Sequence, residues 1–388
     1  MSVSIDGTVA RGFETVRAAF RATFDAAPNM GAALAILVDG ELVVNLWGGI
    51  ADERDRQPWR RDTASVIFSC TKGLMSVLVA RLVDQGRLHY DAPVAHYWPD
   101  FAANGKAQIT VAEALSHRAG LSAPRDDLEL DDILDWDRVT AKLAAQQPLW
   151  PPGQGHAYHA LTHGWLAGEL VRRVTGKSPG TYFREVVSPL GVDAWIGLPP
   201  SRDNVAHLQV APDLTALWAT AADVPDPANN WPHRAMTLGR ALPAALVTSQ
   251  GGFNDRRVQA AEIPGAGGIA TAEALATIWS AAVIRTAGVR LASTEILARA
   301  TQTQTEGAPV FPAEPPYPRW GMGFQLDSEA RRFLTANSFG HDGAGGQVAF
   351  ADPDHRVGFA FITNWMQGPG DTRGTRLVDA LRSVLSGS

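Results

Sequence analysis

The chain has very little cysteine and no concentration of charge of one sign. Its 388 residues include one cysteine, Cys70, so no disulfide can form within the chain. The 34 Lys and Arg residues are scattered among 40 Asp and Glu residues, and a net charge of −6 offers no basic surface for nucleic acid or an anionic membrane. No apolar run approaches the length of a membrane span, and residues 1–25 lack the basic and apolar regions of a signal peptide. We therefore expect a cytoplasmic protein without nucleic-acid or membrane partners.

The usual patterns of metal and nucleotide sites are also missing. There is no His-Glu-x-x-His sequence and no paired set of Cys and His ligands. The acidic stretch from Asp126 to Asp137 does not have EF-hand spacing, so we interpret it as a solvated loop or lid. Gly176-Lys177-Ser178 ends a predicted helix, whereas a P-loop begins one. We expect neither a metal nor a cofactor.

Ser69 and Lys72 begin a long apolar segment that closes at Gln85-Gly86. The segment has helical spacing, carried by Leu74, Val77, Leu78 and Leu82. Residues three apart share one face of a helix, so the Lys72 amine can reach the Ser69 hydroxyl. The positive end of the helix dipole and the apolar surroundings both lower the pKa of Lys72, which favours a neutral amine beside a nucleophile. Because a capping serine with a solvated lysine has the same pattern, the assignment needs partners elsewhere in the chain.

The two ends of the chain carry strand patterns. Two apolar runs, residues 32–38 and 42–47, flank Asp39-Gly40, a sequence typical of a hairpin turn. Residues 9–24 have the pattern of an amphipathic helix. Toward the C terminus, short apolar or alternating runs predict antiparallel strands, and a final segment with one apolar face predicts a helix. These are residues 323–326, 347–351 and 357–363 for the strands and 376–385 for the helix.

The middle of the chain is mostly helix and loop. For example, a glycine-rich turn at residues 264–269 precedes a predicted helix at 272–283. We predict an α+β fold in which residues 1–66 and 310–388 form an antiparallel sheet flanked by helices. Residues 67–309 form an inserted, mostly helical lobe with long loops, and a functional site between two such lobes is common.

Tyr158 follows a Pro- and Gly-rich turn at residues 151–155 and precedes a predicted helix at 161–174. A hydroxyl at a helix entrance can face a cleft, but the residues alone allow a buried core tyrosine equally well. Residues 199–258 are irregular and rich in Pro, Asn and Trp, which favours a long insertion over a cleft. Together with residues 126–150, this insertion would shape a substrate pocket.

Three motifs now occur in the order found in the serine β-lactamase and penicillin-binding superfamily. They are Ser69-Cys70-Thr71-Lys72, Tyr158-His159-Ala160 and Gly340-His341-Asp342-Gly343-Ala344-Gly345-Gly346. Residues 115–121 and 265–269 resemble two further markers of that superfamily. Within it, the chain is similar to the family VIII carboxylesterases, the esterase branch close to class C β-lactamases. The resemblance implies a β-lactamase-like fold, no cofactor and a small-molecule ester as substrate.

Carried over residue by residue, the resemblance makes Ser69 the nucleophile and Lys72 with Tyr158 the pair that moves protons. It leaves open which of the two is the primary base, because their titrations are expected to be coupled. The backbone N–H groups of Ser69 and Ala344 resemble an oxyanion hole. The third motif implies substrate-binding residues, namely His341, Asp342 and Gly343.

Two departures from the lactamase pattern bear on the substrate. The third motif of lactamases reads Lys-Thr-Gly, where this chain has His341-Asp342-Gly343, and the second motif ends in Asn, where it has Ala160. The loss of a fixed cation and of an amide favours a neutral ester over a charged lactam. We expect a serine carboxylesterase that hydrolyses small or short-acyl esters through an acyl-enzyme. The alternatives are a β-lactamase or D-amino-acid peptidase or amidase on the same site, and a non-catalytic ligand sensor.

Two rival nucleophile arrangements are weaker. Ser178 lies in a Gly-x-Ser-x-Gly sequence, but a helix is predicted before it and Pro179 follows it, whereas a nucleophile elbow needs a strand before and a helix directly after. We interpret this sequence as a helix-ending turn. Ser69 with His341 and Asp342 would mimic a Ser-His-Asp triad, but adjacent residues on a strand point to opposite faces.

Overall fold

The computed structural model describes residues 3–27, 29–216, 230–368 and 370–387. The strands in these residues range from two to twelve residues in length. In chain order they are β1 (Ile5–Val9), β2 (Gly31–Val38), β3 (Glu41–Asp52), β4 (Gln57–Pro58), β5 (Ser65–Val66), β6 (Ala194–Ile196), β7 (Gln209–Val210), β8 (Gly268–Ala270), β9 (Arg319–Trp320), β10 (Gln325–Leu326), β11 (Phe339–Gly343), β12 (Gln347–Asp352), β13 (Val357–Thr363) and β14 (Trp365–Met366).

Helices from the whole length of the chain surround these strands. In chain order they are α1 (Glu14–Ala22), α2 (Cys70–Asp84), α3 (Val94–Tyr97), α4 (Val111–Leu115), α5 (Leu130–Ile133), α6 (Trp136–Ala145), α7 (Thr162–Thr175), α8 (Pro179–Val187), α9 (Trp231–Thr237), α10 (Arg256–Ala260), α11 (Ala272–Val283), α12 (Thr294–Ala300) and α13 (Arg373–Ser386). Short 3₁₀ turns lie at Pro99–Ala102 and Ser188–Leu190. In the described part of the chain, none of the helices has the length and apolar character that a membrane crossing requires.

The largest sheet of the described residues is antiparallel and has nine strands, in the order β1-β3-β2-β13-β12-β11-β10-β9, with β4 paired to β3. Its strands come from both ends of the chain, which confirms the predicted α+β fold. The predicted hairpin is formed by β2 and β3. Asp39 and Gly40 at its turn have positive φ angles of 54° and 83°, as the favoured two-residue hairpin turns require.

Both faces of the sheet are covered by helices. On one face α1 and α13 pack together, with Phe20 and Leu377 fully buried between the helices and the strands. On the other face α11 packs against β2 and β13. Gly358 of β13 permits this approach, because an added Cβ atom would lie 2.2 Å from the carbonyl oxygen of Ala276. Helix α11 belongs to residues 67–309, the predicted helical lobe, but it packs on the sheet formed by the two ends of the chain. The predicted division into two lobes therefore stays a prediction.

Helix α2 runs through the centre of the molecule and packs against α7 on one side and β11 on the other. Its residues from Cys70 to Ala80 are all buried, so it is covered around its whole circumference. The predicted helix ending at Gln85-Gly86 is confirmed. The predicted helix at 161–174 corresponds to α7, and Gly176 ends it with a φ of 72°.

Other predicted boundaries were wrong. The helix expected at residues 9–24 begins only at Glu14, and residues 5–9 instead form β1, which pairs with β3. The acidic stretch 126–137, expected as a loop, contains α5 and the start of α6, where the side chain of Asp135 accepts hydrogen bonds from the backbone N–H groups of the first turn. Of the predicted insertion 199–258, residues 217–229 lie outside the described residues.

Candidate active site

The backbone is strained immediately before Ser69. Phe68 has a positive φ of 44°, unusual for a residue with a side chain, and its ring packs edge-on against Phe253 at 5.3 Å. The hydroxyl of Thr71 donates to the Phe68 carbonyl at 2.6 Å and accepts the N–H of Gly268 at 2.9 Å. These contacts fix the start of α2. Ser69 occupies the N-cap position, but its hydroxyl does not cap the helix and is free to meet other side chains.

Lys72 reaches the Ser69 hydroxyl, as its spacing on the helix predicts. Its Nζ lies 3.0 Å from Ser69 Oγ and 2.7 Å from the carbonyl oxygen of Gly265. The side chain is fully buried. Burial lowers the pKa of Lys72 to about 7, although Asp342 and Cys70 act in the opposite direction. At neutral pH a large fraction of this amine is therefore uncharged and able to accept a proton.

Tyr158 completes a cluster of three side chains. Its Oη lies 2.8 Å from Ser69 Oγ, and Lys72 Nζ lies 4.9 Å from the centre of its ring. Burial raises the pKa of Tyr158 well above the usual value, although the hydrogen bond to Ser69 opposes that shift. Tyr158 is therefore a neutral phenol that donates a hydrogen bond. The sequence allowed either a tyrosine whose hydroxyl faces a cleft or a tyrosine buried in the core. In the structure the hydroxyl of Tyr158 contacts Ser69.

The hydrogen bonds around Ser69 form a consistent set when Lys72 is neutral. Lys72 Nζ donates to the Gly265 carbonyl and contacts Ser69 Oγ, and Tyr158 donates to Ser69 Oγ. Once the amine has lost its proton, its lone pair can take the proton of the Ser69 hydroxyl. A base thus lies on one side of the hydroxyl and a hydrogen-bond donor on the other. This arrangement can generate a serine alkoxide and stabilise it as it forms.

A group of rings that our sequence analysis did not identify encloses Tyr158. Trp320 stacks on it at 5.2 Å, and His117 meets its ring edge at 5.0 Å. His341 lies 5.3 Å from Trp320. Burial lowers the pKa of both histidines, to about 3 for His341, so both rings are neutral. The local signal for Trp320 is the sequence Trp320-Gly321-Met322-Gly323, in which glycine follows first Trp320 and then Met322.

The third motif lies beside the start of α2. Cys70 Sγ donates to the carbonyl of His341 at 3.1 Å. A Cβ atom added to Gly343 would lie 2.5 Å from the carbonyl oxygen of Ile67, so the end of β11 approaches the backbone just before Ser69. Ala344 follows in the tight turn to β12, where the N–H of Gly346 donates to the Gly343 carbonyl at 3.2 Å.

The strand that carries this motif is only partly covered along its outer edge. Strands β10 and β9 continue the sheet beyond β11, but β10 pairs only with Phe339 and Gly340. The end of β11 that carries Gly343 extends past them. The N–H of Asp342 donates to the Gln325 side chain at 2.8 Å, which occupies part of that open edge.

The side chains of His341 and Asp342, expected to bind substrate, make their observed contacts within the protein. His341 is only 1 % exposed, and its Nδ1 lies 2.6 Å from the Asp342 main-chain oxygen. The same Nδ1 lies 3.6 Å from Asp342 Oδ1. The two side chains are therefore closer than expected for adjacent residues on a strand, but this distance is too long for a hydrogen bond. Asp342 instead pairs with Arg331, whose Nε lies 2.9 Å from its carboxylate. The Arg331 guanidinium therefore neutralises the Asp342 carboxylate.

Ala160 packs beside Tyr158, whereas Ser178 has a structural role at the start of α8. Ala160 is buried in a small apolar cluster with Ala123 and Ala235, next to Tyr158. Ser178 caps α8 by accepting the N–H of Thr181, and its Oγ binds Glu262 at 2.6 Å. Helix α8 does begin directly after Ser178, contrary to our expectation, but the preceding element is α7 rather than a strand. The predicted helix-ending turn is confirmed.

Comparison with known proteins places this arrangement in a family. The Beta-lactamase family model matches residues 17–382. The Mycobacterium tuberculosis protein named esterase/beta-lactamase LipL is 36 % identical over 366 residues, which cover 92 % of this chain and 82 % of that protein.

Solved structures agree closely with the fold. A family VIII carboxylesterase is 37 % identical, has a TM-score of 0.86, and matches 98 % of this chain and 100 % of its own. A penicillin-binding protein homologue from Caulobacter crescentus is also 37 % identical, with a TM-score of 0.83 and the same coverage of both chains.

Proposed function

This chain belongs to the beta-lactamase family, and from that premise we propose that it is a serine carboxylesterase of the family VIII type, acting through an acyl-enzyme on Ser69. The substrates are small-molecule carboxylic esters with small or short acyl groups. The observation that carries the proposal is the hydroxyl of Ser69 bound on two sides, by Lys72 at 3.0 Å and by Tyr158 at 2.8 Å.

Lys72 acts as the primary base. Ser69 Oγ attacks the acyl carbon of the ester while its proton passes to the neutral Lys72 amine. Tyr158, as a neutral phenol, donates first to Oγ and then delivers a proton to the departing alkoxide, and Lys72 reprotonates it. A water molecule then attacks the acyl-enzyme with the same groups in reverse, and the acid is released. The low pKa of Lys72 and the high pKa of Tyr158 support this division of roles.

The backbone N–H groups of Ser69 and Ala344 bind the oxyanion. The close approach of Gly343 to Ile67 supports this, because it brings the turn after β11 to the start of α2. Each such donor contributes on the order of 3 kcal/mol to transition-state binding. Gly343 borders the substrate, while the burial of His341 supports a role behind Tyr158 rather than against the substrate.

The preference for esters rests on two positions. Ala160 is a buried apolar residue where lactamases carry an amide, and Asp342 with Arg331 forms a neutral pair where they carry a free lysine. Hydrolysis of β-lactams is the second candidate, because the M. tuberculosis relative carries both activities in its name. Faster turnover of nitrocefin than of p-nitrophenyl acetate would make β-lactam hydrolysis the first candidate and ester hydrolysis the second.

The central experiment measures p-nitrophenyl acetate hydrolysis in three variants. We expect Ser69→Ala to abolish activity, Lys72→Ala to reduce it by orders of magnitude, and the matched control Ser178→Ala to retain it. A fluorophosphonate should label the wild type and Ser178→Ala but not Ser69→Ala. Normal hydrolysis by either of the first two variants contradicts the mechanism, and absence of labelling in the wild type supports a non-catalytic sensor.

The proposal also includes the setting of the enzyme. A net charge of −6 with scattered cations supports a protein that acts on small molecules, without nucleic-acid or membrane partners. We propose that it acts in the cytoplasm.

A further inference from the structure

A cleft of about 540 Å³ lies at the far end of α2 from Ser69. Arg81 lines it, twelve residues along the helix from Ser69, which corresponds to about 18 Å at 1.5 Å per residue. The second half of α8 forms a second wall and the turn after α11 forms the third. We call this surface the arginine cleft. Its charged or polar lining residues are Arg81, Gln85, Arg87, Lys177, Tyr182, Glu185, Arg285 and Arg290.

The positive charge in this cleft is not balanced by nearby acids. The one carboxylate among its lining residues, Glu185, is held by Lys177 at 2.6 Å, so those two charges cancel. The four arginines remain. Among the described residues, none of them has a carboxylate within 4.0 Å, although the chain as a whole carries a net charge of −6. Such a concentration of unpaired cations is unusual on an acidic protein.

The arginines are held in place but keep free donors. Arg81 donates to the Leu291 carbonyl at 3.1 Å, and Arg87 donates to the Val174 carbonyl at 2.7 Å. Arg285 and Arg290 likewise donate to carbonyl oxygens of their own loop, at 2.8 Å and 3.1 Å. A guanidinium has five N–H groups, so each retains donors after these bonds. Neutral acceptors orient the four side chains without removing their charge.

The arginines act in two pairs, one on each side of the cleft they share. Arg285 lowers the pKa of Arg290 by repulsion, in addition to the effect of burial. Arg81 and Arg87 both favour the ionised form of Tyr182, although burial raises its pKa overall. An anion in the cleft would therefore meet several guanidinium groups at once and relieve their repulsion.

From this geometry we propose that the arginine cleft binds a polyphosphate anion, meaning a small molecule or inorganic chain with two or more linked phosphate groups. Guanidinium groups match phosphate oxygens in bidentate pairs, and four of them suit a multivalent anion better than a single carboxylate. The site is separate from Ser69 and does not depend on the esterase proposal.

The test is isothermal titration of the full-length protein with sodium tripolyphosphate at constant ionic strength. We expect saturable binding near one equivalent and a rise in melting temperature, because the ligand binds the folded state. ATP binding as tightly as tripolyphosphate identifies an organic polyphosphate as an accepted source, and weaker ATP binding identifies the inorganic chain. Citrate at the same concentration should bind at least tenfold more weakly.

The variant pair Arg285→Gln/Arg290→Gln should weaken tripolyphosphate binding at least tenfold. The control pair Arg54→Gln/Arg138→Gln removes two arginines that have acidic partners on other surfaces, and it should bind as the wild type does. The circular-dichroism spectrum and the melting temperature without ligand report that each variant is folded. If the first pair does not fold, the exposed Arg87→Gln replaces it, with at least a threefold loss expected. Absence of saturable binding by the wild type, or equal binding by cleft and control variants, overturns the proposal.

Discussion

The indole ring of Trp320 lies nearly parallel to the phenol ring of Tyr158, with centroids 5.2 Å apart and an angle of 15° between the planes. Trp320 is 4 % exposed and also meets the ring of His117 at 4.6 Å. It makes no contact with Ser69 or Lys72 among the described hydrogen bonds and ring pairs. Trp320 is therefore a positioning residue, which fixes the plane of Tyr158 and hence the place of its hydroxyl.

Replacement of Trp320 by Leu should lower kcat by on the order of 10-fold to 100-fold, because small displacements of a catalytic group carry such costs. KM should change little, since the indole lies behind Tyr158. Steady-state kinetics with p-nitrophenyl acetate separates the two constants. Trp320→Phe keeps an aromatic face and should recover part of the loss.

The matched control is Trp98→Leu. Trp98 is equally buried and packs on Phe101 at 5.1 Å, away from the cluster around Ser69. Both substitutions remove a buried indole, so both should lower the melting temperature, but only Trp320→Leu should lower kcat. An equal effect of the two on kcat assigns Trp320 a structural role alone.

The pH dependence of kcat/KM should report the titration of Lys72. Its pKa is about 7, and the protonated amine cannot accept the Ser69 proton. Below pH 7 the rate should therefore fall tenfold per pH unit, and above it the rate should level off. The neighbouring histidines 117, 159, 163 and 341 have pKa values lowered by burial, so none should add a second step near neutrality.

Asp342→Asn tests the assignment of that step. The Asp342 carboxylate raises the pKa of Lys72, and its removal also leaves the positive charge of Arg331 uncompensated. Both changes disfavour the ammonium form, so the acid limb should move to lower pH. A limb that stays at the same pH, or moves upward, assigns the titration to another group.

Local patterns were sufficient for a large part of the fold. Asp39-Gly40 between two apolar runs predicts the hairpin, and the glycine-rich turn before residue 272 predicts α11 with its observed bounds. Spacing along one helix also predicts the contact between Ser69 and Lys72, since both atoms belong to a single turn. In each case the residues that determine the feature are neighbours in the sequence.

The remaining features depend on distant residues. Strand β1 is too short to be separated from the helix that follows, and it is defined by pairing with β3, about forty residues away. Trp320 lies on the two-residue strand β9, which has no periodicity to detect. Gly265 binds Lys72 through its carbonyl oxygen, which every residue type possesses, so the residue type does not predict this contact.

Gly343→Ala should impair catalysis by crowding rather than by removal of a reactive group. The new methyl group would lie 2.5 Å from the Ile67 carbonyl oxygen, and neither backbone can yield without moving the start of α2 or the turn at Ala344. We expect kcat/KM to fall on the order of 100-fold, as when one oxyanion donor is displaced. Gly387→Ala, where the nearest atom lies at 3.5 Å, is the control and should be neutral. Full activity of Gly343→Ala contradicts the proposed oxyanion hole.

Lys72→Met should abolish activity and yet stabilise the protein below pH 7. In the folded state the pKa of Lys72 falls from 10.5 to about 7, so folding at low pH must bury an ammonium group or remove its proton. That shift corresponds to roughly 5 kcal/mol of destabilisation below pH 7. Methionine keeps the length of the side chain, and the loss of the hydrogen bond to Gly265 costs only about 1–3 kcal/mol.

The size of this stabilisation by Lys72→Met should depend on pH. Between pH 7 and 10.5 the unfolded chain holds the Lys72 proton and the folded protein does not, so the wild type gains stability as pH rises through this range. The advantage of Lys72→Met in melting temperature should therefore be largest at pH 6 and shrink toward pH 9. Lys142→Met, at an exposed position on α6, should show no such trend. A Lys72→Met advantage that is equal at the two pH values would mean that the buried amine is not the source of the destabilisation.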